Sequence, residues 1–320
     1  MNPQVNPFPK RPFRFGVQLK TAADGNGWHE QARRIEGHGY DVATMPDHFD
    51  DQFAPVPGLQ AVLSATTTLR ACALVFDNDY RHPLVLAKEL ATMDVLSGGR
   101  LEIGLGAGWM VADYEQAGMT YDRAGVRVDR FVEGLAVIKG LMGAEPFTYE
   151  GDHYTIQGHD GFPKPLQTPH PPVIIGGGGK RVLGIAAREA DIVGVNATLD
   201  AGVIGPEAIA TMTREAVVDK LAILASAADA AGRIDEIELN IRTFFVSVTD
   251  DRAGRVAAMA ELIGVQPQMI DESPYALIGS VDQIADDLVA RREEYGFSYV
   301  IVGGDEADAF APVVAKLADT

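Results

Sequence analysis

The stretch Leu96-Ser97-Gly98-Gly99-Arg100-Leu101-Glu102-Ile103-Gly104-Leu105-Gly106-Ala107-Gly108-Trp109 decides how the chain folds. Two adjacent glycines end a helix that Pro83 opens at an N1-like position, because glycine takes the positive φ of a helix C-cap at little cost. Arg100 then starts a strand, Leu101–Gly106, that leaves through alternating glycines into a tryptophan. A helix passing through one tight turn into a strand is the repeating unit of a parallel sheet.

The same alternation recurs outward in both directions. Short β-rich runs at 13–19, 40–46 and 69–76 precede this stretch, and runs at 173–175, 191–195, 237–248 and 298–302 follow it. Helical spacing falls at 28–38, 122–142, 180–189, 212–231, 252–263 and 281–295. Residues 147–157 alternate around Glu150-Gly151-Asp152 and predict a hairpin excursion. Segments 198–207 and 264–274 read as loops inside one domain. Eight strand-helix pairs predict an α/β protein with a closed (β/α)8 TIM barrel and insertion segments over 13–320. The first turn, Gln18 to Ala22, lacks the Gly-x-Gly-x-x-Gly of a doubly wound nucleotide fold. Residues 1–12, with Pro3, Pro7, Pro9 and Pro12, read as a flexible leader without a signal-peptide core.

Composition narrows the function. With 27 Lys+Arg against 45 Asp+Glu the net charge is −18, which repels phosphate backbones and anionic lipid and argues against nucleic acid or membrane as partner. No apolar run reaches the roughly 18 residues of a membrane helix. The single cysteine, Cys72, sits among Ala71, Ala73 and Leu74 as a buried strand residue, so a disulfide framework drops out and a reducing cytoplasm fits. The seven histidines lack zinc-type spacing, and no Gly-x-Ser-x-Gly elbow occurs.

In a barrel the reacting groups hang from the C-terminal ends of the strands. Asp47-His48-Phe49 follows strand 2, where an imidazole can exchange a proton and a neighbouring carboxylate can orient it. A turn cap at Asp47 beside a solvated His48 is the plainer alternative. Gly104 to Trp109 leaves room for a flat ligand with an indole as one wall, or else fills core. Gly176-Gly177-Gly178-Gly179-Lys180-Arg181 runs from a strand into a helix. Its exposed N–H groups and two cations suit a phosphate, although a ligand-free loop would read the same way. It is not a Walker motif, since neither Ser nor Thr follows Lys180. Cys72 to Asn78 reads by pattern as a buried strand followed by an Asp/Asn turn.

Together, Phe13-Arg14-Phe15-Gly16, Tyr80-Arg81-His82-Pro83, the Leu96 to Trp109 run, the Gly176 to Gly179 loop and Gly279-Ser280-Val281-Asp282-Gln283-Ile284 carry a likeness over nearly the whole chain. The sequence resembles the bacterial luciferase-like superfamily, and within it the F420-dependent oxidoreductases. The resemblance implies a deazaflavin (coenzyme F420) or, as the alternative, FMN, at the C-terminal face of the barrel. It implies a cofactor phosphate against Gly177, Gly178, Gly179, Lys180 and Arg181, with Ala107 and Gly108 along its path. It also implies a ring supported by a non-prolyl cis peptide at Ala73–Leu74. Asp47 and Phe76 would contact the ring region, and His48 would handle the proton, with Asp47 contacting the ring or orienting the imidazole. Trp109, Phe49 and Phe76 would wall the substrate. The sugar-phosphate dehydrogenases of this superfamily carry an acidic residue where Trp109 follows Gly108 here, so an apolar or aromatic carbonyl, imine or activated alkene is the expected small-molecule substrate. An FMN-dependent monooxygenase and a cofactor-binding protein without turnover are the other readings, and the family implies a homodimer.

Overall fold

Apolar runs of four to seven residues pair edge to edge until no edge remains, which removes the exposed ladder of N–H and C=O groups that an open sheet would present. The computed structural model describes residues 6–199, 202, 203 and 205–320. Its eight barrel strands are β1 (Arg14–Gln18), β2 (Val42–Met45), β3 (Arg70–Ala73), β4 (Leu101–Gly106), β5 (Val173–Gly177), β6 (Ile192–Val195), β7 (Glu238–Arg242) and β8 (Phe297–Gly303). All neighbours are parallel, in the order β3-β2-β1-β8-β7-β6-β5-β4. The ring closes where Ala71 and Cys72 of β3 pair with Leu101 and Glu102 of β4.

Around the barrel lie α1 (Gly25–Gly37), α2 (Pro55–Ala65), α3 (Pro83–Ser97), α4 (Val111–Ala117), α5 (Ala124–Met142), α6 (Lys180–Glu189), α7 (Arg214–Ala230), α8 (Arg252–Ile263), α9 (Val281–Tyr295) and α10 (Ala307–Leu317). The end of α3 is built as its sequence dictates, since Gly98 and Gly99 take φ of 71° and 84°. An antiparallel hairpin, Phe147–Glu150 with Thr155–His159, follows α5. No helix among the described residues is long and apolar enough to cross a membrane.

Four expectations need correction, the first being that segment 264–274, read as a loop, carries a short helix at Pro267–Asp271. The third strand is not continuous to residue 76: the chain leaves the ladder at Leu74 and Val75 and rejoins β4 at Phe76–Asp77, opposite Leu105 and Gly106. The run 237–248 also divides. It breaks after Arg242, and Phe245–Val248 pairs outside the barrel with Ala276–Gly279. Residues 6–12 are anchored rather than loose, because Phe8 is only 5% exposed and Arg11 donates to the carbonyls of Asp235 and Glu236 at 3.0 and 2.9 Å. The first five residues of the expected leader lie outside those described.

Strand alternation sends every second side chain into the barrel. At the floor, Glu102, 1% exposed, pairs with Arg14 and with Arg70 at 2.9 Å, and Arg14 also reaches Glu238 at 2.7 Å. Above this charged layer Val42, Cys72, Ile174, Ile192, Tyr299 and Ile301 form a sealed apolar plug. At the upper end the inward positions of four strands are glycine: Gly106, Gly176, Gly194 and Gly303. The strands themselves thus fill the barrel below and contribute no side chain at these four positions above, where Val75 and the Glu306 carboxylate reach in, 2.7 and 2.2 Å from where side chains at Gly106 and Gly303 would begin.

Glu102→Gln would leave two half-buried guanidinium groups without their shared carboxylate. Breaking a buried ion pair from one side costs about 3–5 kcal/mol. Urea unfolding of the variant should show a loss of that order, whereas a loss under about 1 kcal/mol would mean that water screens the floor.

Candidate active site

The chain leaves β2 through Pro46 with Asp47 turned inward and His48 beside it. The Asp47 carboxylate, 4% exposed, is held by both nitrogens of Arg81 at 2.6 and 3.0 Å and accepts the backbone N–H of Asp77 at 3.1 Å. None of these contacts is with His48. The imidazole is oriented instead by Asp113 of α4: His48 Nδ1 donates to Asp113 Oδ2 at 2.6 Å. The same oxygen accepts the Tyr80 hydroxyl at 3.0 Å, and Asp113 Oδ1 accepts the N–H of Phe49 at 3.3 Å. Burial and the nearby carboxylates of Asp77 and Asp113 hold the Tyr80 phenol well above its ordinary value, so it stays a donor. Tying down Nδ1 fixes the tautomer and leaves Nε2 as the nitrogen able to exchange a proton. Trp109 meets the His48 ring edge-on with centroids 5.5 Å apart, and half-exposed Phe49 lies on Tyr80 at 4.6 Å.

Beside these groups, on the neighbouring strand, the interruption of β3 forms a low apolar step. Leu74 packs on the interior plug, and its N–H is held by the Met45 carbonyl at 2.7 Å. The cis peptide lies at Leu74–Val75, one residue beyond the expected Ala73–Leu74. Val75 stands over the glycines, with its methyl carbons 2.7 and 3.5 Å from where side chains at Gly106 and Gly176 would begin. Ala73 packs outward against the helices, so its side chain cannot meet a ligand in the mouth. Phe76 is fully buried beneath the Arg81 guanidinium, which removes it from both the expected ring contact and the expected substrate wall.

At Gly108 only glycine fits. Its φ is +73°, and a Cβ would sit 2.1 Å from the Tyr114 hydroxyl and 2.4 Å from Asp77 Oδ2. Behind it, Tyr114 donates to Asp77 and to Asp79 Oδ2 at 3.0 Å, and Arg130 holds Asp79 at 2.8 Å. Burial, reinforced by the carboxylates of Asp79 and Asp47, pushes the Asp77 carboxyl up to about 7. Arg127 lies on the Tyr121 ring at 4.0 Å, and the Tyr121 hydroxyl holds the Trp109 carbonyl at 2.9 Å.

The glycine loop after β5 brings a helix end to the rim. β5 runs to Gly177, two residues further than its apolar pattern predicts, and pairs there with Val195. A Cβ at Gly178 would lie 2.5 Å from the Asn196 and Ala197 carbonyls, so this close approach requires glycine. Gly179 caps α6 without a side-chain hydrogen bond, which leaves the first N–H groups of α6 to receive an anion. Lys180 is exposed at this rim. Arg181 turns aside to Asp129 and to the Gly125 carbonyl of α5 at 3.1 Å. The expected phosphate grip thus reduces to main-chain donors and Lys180, with Arg181 already paired.

Residues 11–297 match the description luciferase-like monooxygenase. The chain belongs to that family. It is 26% identical over 253 residues to the FMNH(2)-dependent dimethylsulfone monooxygenase of Pseudomonas putida, covering 77% of this chain but 65% of that relative's length, just under two thirds. Among solved structures it superposes on the coenzyme F420-dependent tetrahydromethanopterin reductase of Methanopyrus kandleri with a TM-score of 0.78 at 20% identity, over 96% of this chain and 98% of that one. An F420-dependent secondary alcohol dehydrogenase in complex with an F420-acetone adduct gives 0.75 at 18% identity, again over 96% and 98%. At such identities the two structures speak for the shared barrel. Tyr80, Arg81, Asp113 and Tyr114 were not among the expected site residues. Tyr80 and Arg81 belong to the run Tyr80-Arg81-His82-Pro83, but nothing local ties Asp113 to a histidine 65 positions earlier.

In the unfolded chain Asp77 titrates near the ordinary ~4 of a carboxylate, so the folded protein binds an extra proton between about pH 4 and 7 and loses stability as pH rises through that window. Asp77→Asn removes this slope. Relative to wild type the variant should gain about 1–3 kcal/mol in denaturant unfolding on going from about pH 4.5 to about pH 7.5. Parallel curves for the two proteins would place the Asp77 value at the ordinary one.

Proposed function

We propose that this chain is an F420-dependent oxidoreductase that holds the deazaflavin across the barrel mouth and acts on a small substrate with a carbonyl, imine or activated alkene. The observation that carries the reading is His48, locked through Nδ1 by Asp113, which Tyr80 holds in turn, beside a barrel end lined by four glycines. The cradle fits a flat ring. Leu74 and Val75 supply an apolar step for one face, and the α6 N-terminus with Lys180 suits a phosphate on the tail.

Bound in reduced form, F420 supplies a hydride from C5, while proton handling and positioning fall to the protein. His48 Nε2 gives a proton to the substrate heteroatom or takes one from it in the reverse direction, and Asp113 stabilises the imidazolium that alternates with neutral imidazole. Trp109 and Phe49 exclude water on the substrate side and hold the acceptor carbon against the ring. Asp47 acts through structure: with Arg81 it fixes the exit of β2, from which His48 hangs.

An FMN-dependent monooxygenase is the second reading, favoured by the name of the Pseudomonas putida relative. Fluorescence titration with both cofactors separates the two. Tighter binding of F420, with no oxygen uptake in the reduced complex, is the expected result, and preferential FMN binding with oxygen consumption replaces the first reading. Once an acceptor is found, His48→Ala should lower kcat by about 10²–10⁴-fold. Asp113→Asn should lower it less and shift its pH profile. Unchanged turnover in His48→Ala would remove the imidazole from the chemistry.

A further inference from the structure

One cation in the mouth has no part in the scheme above. Arg242 is the last residue of β7, on the inward-facing side shared with Glu238 and Asn240. Its Nε donates to the Gln18 side-chain carbonyl at 2.7 Å, and its guanidinium lies 5.3 Å from the centre of the Phe244 ring. Its terminal nitrogens make no hydrogen bond among the described residues, although Nη2 comes within 3.4 Å of the position a side chain at Gly303 would take. Glu306 is the opposing charge beside it: its Oε2 lies 2.2 Å from that same Gly303 position, yet the two side chains form no ion pair. Every cation at the floor of the barrel, by contrast, has its carboxylate. Burial pushes Arg242 down to about 10, the direction expected of a guanidinium in need of a counter-charge.

The position matters as much as the pairing. In the ring order β7 lies four strands from β3 in either direction, so Arg242 faces the Leu74–Val75 step across the full width of the mouth. A ring resting on that step turns its free face toward β7. With its Nε anchored, a guanidinium presents two parallel N–H donors that match the two oxygens of a carboxylate or sulfonate.

We propose that Arg242, held by Gln18, is an anion subsite for the substrate, which therefore carries a carboxylate or sulfonate in addition to its reducible group. This deepens the function proposed above and rests on its assignment of the mouth as the place where substrate meets cofactor. The reduced cofactor ring is the other source of an anion here, and the two sources are separable.

Calorimetric titration of benzoate, methanesulfonate and neutral benzamide into apo protein, and into protein loaded with F420 or FMN, provides the test. Both anions should bind about tenfold or more tightly than benzamide, and Arg242→Gln should abolish that preference while leaving cofactor affinity unchanged. Arg242→Lys should retain part of it, and Gln18→Ala, which frees Nε without removing the charge, should lose less. These two variants carry the test if Arg242→Gln does not fold. Equal binding of benzoate and benzamide, or anion binding indifferent to all three substitutions, overturns the proposal. So does a selective loss of affinity for reduced over oxidised cofactor with benzoate unaffected, which would assign the cation to the ring. If neither cofactor binds but benzoate still binds apo protein through Arg242, the proposed function fails and the subsite stands.

Discussion

The closure of the barrel between β3 and β4 constrains everything above it. At Gly104 a side chain would begin 1.8 Å from the Ala73 carbonyl oxygen, a distance no backbone adjustment of a few tenths of an ångström can absorb. Any other residue would force β4 away from β3. Those two strands carry the Leu74–Val75 step on one side and the Gly106 to Trp109 exit on the other, so the apolar bed and the indole wall share one geometric origin. Glycine here is a packing requirement first, and Gly106, two residues later and facing the same way, is where Val75 comes to stand over the strand.

Charge is distributed along the barrel axis with a clear asymmetry. The floor buries Glu102 and Glu238 against Arg14 and Arg70, and the rim buries Asp47 against Arg81 and Asp79 against Arg130. Asp113 differs in kind, since its side-chain partners are an imidazole and a phenol that stays protonated. In a low-dielectric setting a fully compensated pair fixes geometry, while a group left with a soft partner can respond to a ligand.

Much of this was readable from the chain. The Gly98-Gly99 stop, the β4 strand from residue 101 to 106, and helices α6, α8 and α9 fall where spacing and caps put them, because their signals are local. Helices α2, α4 and α10 escaped notice for a physical reason, α10 because Pro312 interrupts its pattern. α2 opens with Pro55, Pro57 and Gly58, a signature of turns, and α4 is only seven residues long. At the site, His48, Trp109 and the glycine exits follow from their place at strand ends. What could not be read was which carboxylate serves which partner. Adjacency suggested Asp47 for His48, yet the pleat turns neighbours to opposite sides, and the contacts of His48 come from 65 residues away. Phe76 failed in the same manner, since a break of two residues in β3 sends its ring into the core.

The sole thiol of the chain, Cys72, is sealed inside the apolar plug, fully buried and with its acidity suppressed well beyond that of a free cysteine. Maleimides and similar electrophiles will therefore find nothing to attack while the native state persists. A cysteine engineered at the rim would be a unique attachment point for a fluorophore or spin label, and motion at the open end of the cylinder could be followed without first stripping the background.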